Sequence, residues 1–234
     1  ALSRPEYLDR TVLVAPAMAL EALKRELLRA TAMARGIAGA ALSRAPDGAD
    51  AGRQERRGLQ GLLDAVESFV TSMEGGRLTA GDAEALPMVL RISNYLDDVV
   101  TLSMQLDMHR ADVAAVSRDS VLGAVTGFQA AVAAQIGRCD PAAADFDRGA
   151  LDAGLAALEA EWHELKSTLL SAAGRRELPT NRLNGALEGL RSTLRMAEQL
   201  TKAARRQAAL GLPMGSGEAR DRTAGDDPPP APAG

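Results

Sequence analysis

The chain has 234 residues, of which 46% are hydrophobic and only 3% aromatic, and it carries a formal net charge of −4. The apolar content suffices for one sizeable core or two small ones. The scarcity of aromatics argues against a β-sandwich or barrel, and the lack of a basic surplus argues against a nucleic-acid partner.

Ala, Leu, Arg and Glu, all strong helix formers, dominate instead. Cys139 is the single cysteine, so there is no disulfide framework and no thiolate metal cluster, which fits a reducing, cytoplasmic setting. No stretch approaches the roughly 18 uninterrupted apolar residues of a membrane span. Ala1-Leu2-Ser3-Arg4-Pro5 lacks the basic start and apolar run of a signal peptide. The chain reads as a piece of a longer protein or a processed product.

Residues 1–14 form a lead-in linker bracketed by Pro5 and Pro16. Pro16 suits the first turn of a helix, where its missing N–H is not needed. Met18, Leu20, Leu23, Leu27, Ala30, Met33, Ile37 and Leu42 then recur at helical spacing, and Arg44-Ala45-Pro46-Asp47-Gly48 stops the run. A second helix fits 52–74 on Leu59, Leu62, Leu63, Val66, Phe69, Val70 and Met73, with Gly75-Gly76 as its stop. A third begins near Thr79, whose spacing to Asp82 resembles a capping box, and runs through Leu106 with Pro87 in its first turns. A fourth is expected over about 111–138 on Val113, Val116, Val121, Leu122, Val125, Phe128, Val132 and Ile136. The fifth is expected over about 144–174, with Phe146, Leu151, Leu158, Trp162, Leu165, Leu169 and Leu170, closed by Gly174. The sixth runs from Pro179-Thr180 to about 210 and stops at Gly211-Leu212-Pro213.

The expected fold is therefore all-α, with six long antiparallel helices as two tandem three-helix bundles, 15–110 and 111–212. Leu78, Leu90, Arg91 and Thr101 recur as Leu178, Leu190, Arg191 and Thr201, as a duplicated unit predicts. The tail 213–234, with Gly215-Ser216-Gly217 and Asp226-Asp227-Pro228-Pro229-Pro230, is too polar to order itself by burial.

Chemistry-bearing side chains are few. His109 and His163 have no second ligand at metal-binding spacing, and Cys139 lacks a nearby His or Lys pattern to activate it. There is no nucleophile elbow and no Gly-rich phosphate loop, so a non-enzyme is expected. The doublets Arg56-Arg57, Arg175-Arg176 and Arg205-Arg206 read as solvated or C-terminal cations, with anionic lipid or another subunit as the alternative partner.

Three stretches carry a resemblance. Tyr7-Leu8-Asp9, then Ala15-Pro16-Ala17-Met18-Ala19-Leu20-Glu21, then Glu26-Leu27-Leu28-Arg29 resemble the linker and first helix of the PhoU-like domain that follows the membrane segments of bacterial sodium/phosphate cotransporter family proteins. Leu90-Arg91-Ile92-Ser93-Asn94-Tyr95-Leu96-Asp97-Asp98-Val99 resembles that family's third-helix signature. The resemblance implies a regulatory domain at the cytoplasmic face of the cell membrane, soluble by itself. Its partners would be membrane-embedded transporter segments upstream in the same polypeptide, together with a homodimer partner. The implied process is phosphate transport by sodium symport. It also implies paired carboxylates four residues apart in each half, a spacing that places them on one helix face where they could hold metal. Here Asp97 is present but Thr101 replaces the second carboxylate, and in the second half only Glu198 remains, with cationic Arg191 and Arg195 on either side of the face. Asn94 and Asp98 supply one weak oxygen pair. A metal site at Asn94, Asp97, Asp98 and Glu198 is thus expected to be degraded, with no resident cofactor and with a divalent ion or iron cluster as the alternative. Two other readings stand beside the cotransporter module: a free-standing PhoU-type regulator of a phosphate-transport ATPase and its sensor kinase, and a metal-binding helical protein.

Overall fold

The structure is a computed structural model, and it describes residues 4–44, 52–74 and 79–214. Among these residues it is all-helical: a short 3-10 helix at Arg10–Val14, then α1 (Pro16–Ser43), α2 (Arg53–Glu74), α3 (Ala80–Val116), α4 (Asp119–Arg138), α5 (Arg148–Gly174) and α6 (Thr180–Leu210). No helix among the described residues is long and apolar enough to cross a membrane. The expected tail lies almost wholly outside the described residues.

The termini follow local chemistry. Pro16 opens α1 at its first position. At α3, Thr79 accepts from the Asp82 N–H at 3.2 Å and the Asp82 carboxylate accepts from the Thr79 N–H at 3.3 Å, which completes the capping box. Pro87 sits inside α3 rather than delaying its start. Its ring is exposed, so the Ala83 carbonyl it leaves without an N–H partner faces water. Gly174 is the last residue of α5, but the left-handed position that ends the helix falls on Arg176 at φ 61°. The Glu177 N–H bonds Ala172 O at 3.0 Å and the Arg176 N–H bonds Ala173 O at 2.9 Å, the Schellman pattern.

Three expectations change. The boundary expected at 110/111 falls inside α3, which continues to Val116, so Val113 and Val116 belong to α3 and not to α4. Nothing at 110–111 breaks a helix, whereas Ser117 turns both its N–H (3.0 Å) and its hydroxyl (2.6 Å) onto Val113 O, and Arg118 is extended. Helix α5 starts at Arg148, because Asp147 caps it by accepting from the Gly149 (2.7 Å) and Ala150 (3.2 Å) N–H groups. Phe146 therefore lies in the preceding turn, still packed on the core. Met18, Leu122 and Leu170, placed in the buried stripes by spacing, are exposed.

Helices α1–α3 pack on one another, as do α4–α6, and the most extensive pairing of all joins α3 to α6. The two three-helix groups thus lie side by side, and their buried residues form one continuous core. Asp112 meets Arg182, Gln105 meets Ser192, and Tyr95 meets Arg206, so α3 and α6 run antiparallel. Gly189 lets them close up: a Cβ there would lie 2.8 Å from Val113 Cγ2 and 3.0 Å from His109 Cβ. The second group is filled at its middle by Phe128 against Trp162, with ring centroids 5.8 Å apart.

Buried and half-buried polar side chains satisfy helix ends and faces of neighbouring helices. Arg110 of α3 donates to Ala41 O (2.7 Å) and Arg44 O (2.8 Å) at the C-terminus of α1. Arg35 of α1 donates to Ile136 O and Gly137 O at the end of α4 and pairs with Asp140 at 2.7 Å. In both places a cation from a neighbour meets carbonyls that lack intrahelical partners, at the negative end of the helix dipole. Gln207 of α6 donates to Leu27 O and Thr31 Oγ1 of α1, and Gln135 of α4 to Leu151 O and Thr201 Oγ1.

Candidate functional site

The four positions expected to hold the remnant of a metal site are divided between two places. Asn94, Asp97 and Asp98 lie on the exposed side of α3, while Ile92, Ser93, Leu96, Val99 and Val100 of the same stretch are buried. Glu198 is half-buried on α6, in a groove of about 350 Å³ walled by α5 and α6, with Trp162, His163, Arg191 and Arg195. None of the three α3 positions lines that groove. Among the described residues no three His, Cys, Asp or Glu side chains are gathered where they could share a metal ion.

The other sequence candidates have ordinary surroundings. His109 backs onto Gly189 and lies 3.7 Å from Asp112. The Asp112 carboxyl is held below the usual range, first by the hydrogen bond from Arg182. Cys139 is buried, and burial pushes its thiol up to about 11 despite the contact with Thr201, so it is a thiol and not a thiolate at neutral pH. The doublets are not equivalent cationic patches. Arg205 pairs with Asp152 and Arg175 with Glu177, while Arg206 lies over the Tyr95 ring. Arg56 is buried at the start of α2 and is not a solvated surface cation.

Arg56 belongs to a cluster that the spacing did not reveal. Asp107 accepts from Arg44 (3.0 and 2.9 Å), Arg56 (2.7 Å) and Arg110 (2.7 Å), and all four side chains are no more than 9% exposed. Burial by itself would raise the Asp107 carboxyl, but the hydrogen bonds from Arg110 and Arg56 and the charge of Arg44 outweigh it and hold the group below its usual range. Helices α2 and α3 and the end of α1 are tied at this point. The only local signal was the Asp107/Arg110 pair three residues apart. Arg44 and Arg56 come from either side of a loop, and their convergence is tertiary.

The lead-in is tied by a second buried carboxylate. Glu26 has no exposed surface, and its Oε2 accepts the backbone N–H groups of Glu6 and Tyr7, each at 2.9 Å. Its Oε1 accepts from Arg29 at 2.6 Å, and Arg29 in turn donates to Arg4 O at 2.8 Å. Asp9 caps the 3-10 turn that follows by accepting from the Thr11 N–H at 2.9 Å. At the same end of the bundle the chain leaves α6, where the Met214 N–H donates to Glu21 at 2.7 Å and Arg25 donates to Met214 O at 3.1 Å. Sequence reading marked Glu26 and Arg29 as part of a familiar stretch without assigning them this role.

No family model matches the chain, and no curated protein or solved structure matches it. The geometry is therefore the guide. It offers a rigid helical body whose lead-in leaves α1 at a set angle, fixed by charge-assisted hydrogen bonds to backbone.

Proposed function

We propose that this chain is the PhoU-like regulatory module of a sodium-dependent phosphate cotransporter. It would act at the cytoplasmic face of the cell membrane, joined through its lead-in to the membrane-embedded segments. The module modulates phosphate uptake through helix-face contacts and carries no transport pathway itself. The observation that supports this reading most directly is the Glu26 lock. Tyr7, Glu26 and Arg29, which the lock ties together, lie in the stretch with the densest resemblance to the cotransporter family, 7–29. A lead-in held by two backbone bonds and a buried carboxylate passes a displacement into α1 instead of absorbing it. Helix α1 packs on α2, α3, α4 and α6, so its tilt biases both three-helix groups at once. The regulated equilibrium is a choice between two arrangements of the transporter that the module's contacts favour unequally.

The test is sodium-driven uptake of radiolabelled phosphate by cells making the whole gene product, with and without residues 5–214. Deletion is expected to leave uptake intact and to abolish its decline when phosphate is replete. Uptake that still declines in replete phosphate after the deletion, or no sodium-dependent uptake at all, would refute the proposal.

A further inference from the structure

Outside the lock, a cavity of about 470 Å³ runs along the C-terminal half of α1. Its wall is apolar, formed by Met33, Gly36, Ile37 and Ala40, and Arg44 and Glu55 stand at one end. This volume is within the range of small-molecule sites. A Cβ built on Gly36 meets nothing within 4 Å. Glycine in the middle of an exposed helix is unfavourable, and here it keeps the trough open along α1.

The charged end is built from the interior outward. Asp107 is the one carboxylate shared by the three guanidiniums of Arg44, Arg56 and Arg110. The α1 carbonyls take the Nη atoms of Arg110, but its Nε–H is buried without an acceptor, in a residue only 8% exposed. Arg44 engages Asp107 through Nη1, and its Nη2 lies beside Gly52, which also lines the cavity. Gly52 is at φ +86°, and a Cβ there would collide with that guanidinium, so the close approach depends on glycine. Among the described residues the cluster thus holds more positive charge than its carboxylate neutralises, with one cation at the end of an apolar trough.

We propose that this trough is a binding site for an amphiphilic anion, an aliphatic carboxylate whose chain lies along Met33, Gly36, Ile37 and Ala40 and whose head group meets Arg44. Charge complementarity selects the carboxylate, and the apolar wall selects the chain. Glu55 opposes an anion from across the mouth, so the site is tuned for moderate rather than tight binding.

The test is isothermal titration of the full 234-residue chain with dodecanoate, dodecanol and butyrate, each below its aggregation threshold. Dodecanoate is expected to bind with one-to-one stoichiometry, and dodecanol and butyrate at least about tenfold more weakly. Gly36→Phe, which fills open space, is expected to abolish dodecanoate binding while the thermal melt stays cooperative. Glu55→Gln, on an exposed side chain, is expected to tighten binding. Equal affinity for the alcohol, indifference to Gly36→Phe, weaker binding by Glu55→Gln, or no dodecanoate binding would each overturn the proposal. If Gly36→Phe fails to fold, the alcohol comparison and Glu55→Gln decide the matter alone.

Discussion

Replacing Asp107 by Asn leaves the size of the side chain nearly unchanged and removes its charge. In the native chain this carboxylate makes hydrogen bonds of 2.7 to 3.0 Å to Arg44, Arg56 and Arg110, with every partner at most 9% exposed. Without it, three buried guanidiniums face one another. Removing one partner of a buried ion pair costs about 3–5 kcal/mol, mostly from the charge left behind. That is a large share of the ~5–15 kcal/mol that holds a domain together. For a chain of this size it corresponds to a fall in Tm of roughly 6–20 °C. The assay is urea and thermal unfolding followed by far-ultraviolet circular dichroism, for the native chain and D107N at several pH values. Against the opposing effect of burial, the hydrogen bonds from Arg110 and Arg56 hold the Asp107 carboxyl in the fold below its ordinary value of 3.8. Its contribution is therefore complete above that value and is lost as pH falls through the folded pKa. The gap between native and D107N should be constant near neutrality and shrink below about pH 4. A loss under about 1 kcal/mol, the scale of a solvated surface pair, would show that the cluster is not buried in solution. A gap that does not shrink in acid would show that the lost charge is not its source.

Other positions give sharper local tests. Gly36→Ala should raise stability by about 1 kcal/mol, because a methyl there meets nothing and the helix gains. Gly189→Ala should lower it by about 1–3 kcal/mol, because the added carbon is forced against Val113 and His109 across the α3/α6 seam; equal effects at the two glycines would contradict the described packing. Cys139, buried with its thiol pushed up to about 11, should stay unreactive to a disulfide reagent at neutral pH in native chain and react fully in urea; fast native labelling would contradict its burial. Glu26→Ala should strip hydrogen-exchange protection from the Glu6 and Tyr7 amides while α3 and α6 keep theirs, since only the lead-in loses its acceptor.

Much of the fold is legible in the chain. Pro16, the Thr79/Asp82 pair and Gly211 mark helix ends because each acts through its own backbone or a neighbour a few residues away. The α3/α4 junction was misplaced because Ser117-Arg118 breaks the helix with ordinary residues, while apolar spacing runs on through Val113 and Val116. Arg176 takes the left-handed position two residues after a glycine better suited to it, which spacing cannot foresee. The side-by-side arrangement was not legible either. It depends on Gly189 and on polar residues such as Ser192 and Thr193 being buried at the seam, where an isolated sequence reads them as surface. The candidate sites divide in the same way. Local carboxylate patterns at Asp97, Asp98 and Glu198 could be read but are not brought together, whereas Asp107 and Glu26, beyond a neighbouring arginine three residues on, gain their roles from partners 19 to 63 positions distant.

The central claim is that the lead-in transmits between the helical body and a phosphate transporter. Its most direct test is sodium-driven phosphate uptake by cells carrying Glu26→Ala in the whole gene product, measured with phosphate scarce and replete. The lock predicts normal uptake when phosphate is scarce and uptake that no longer falls when phosphate is replete, matching the variant without residues 5–214. Uptake that still falls normally, in a protein whose Glu6 and Tyr7 amides have lost their protection, would contradict it.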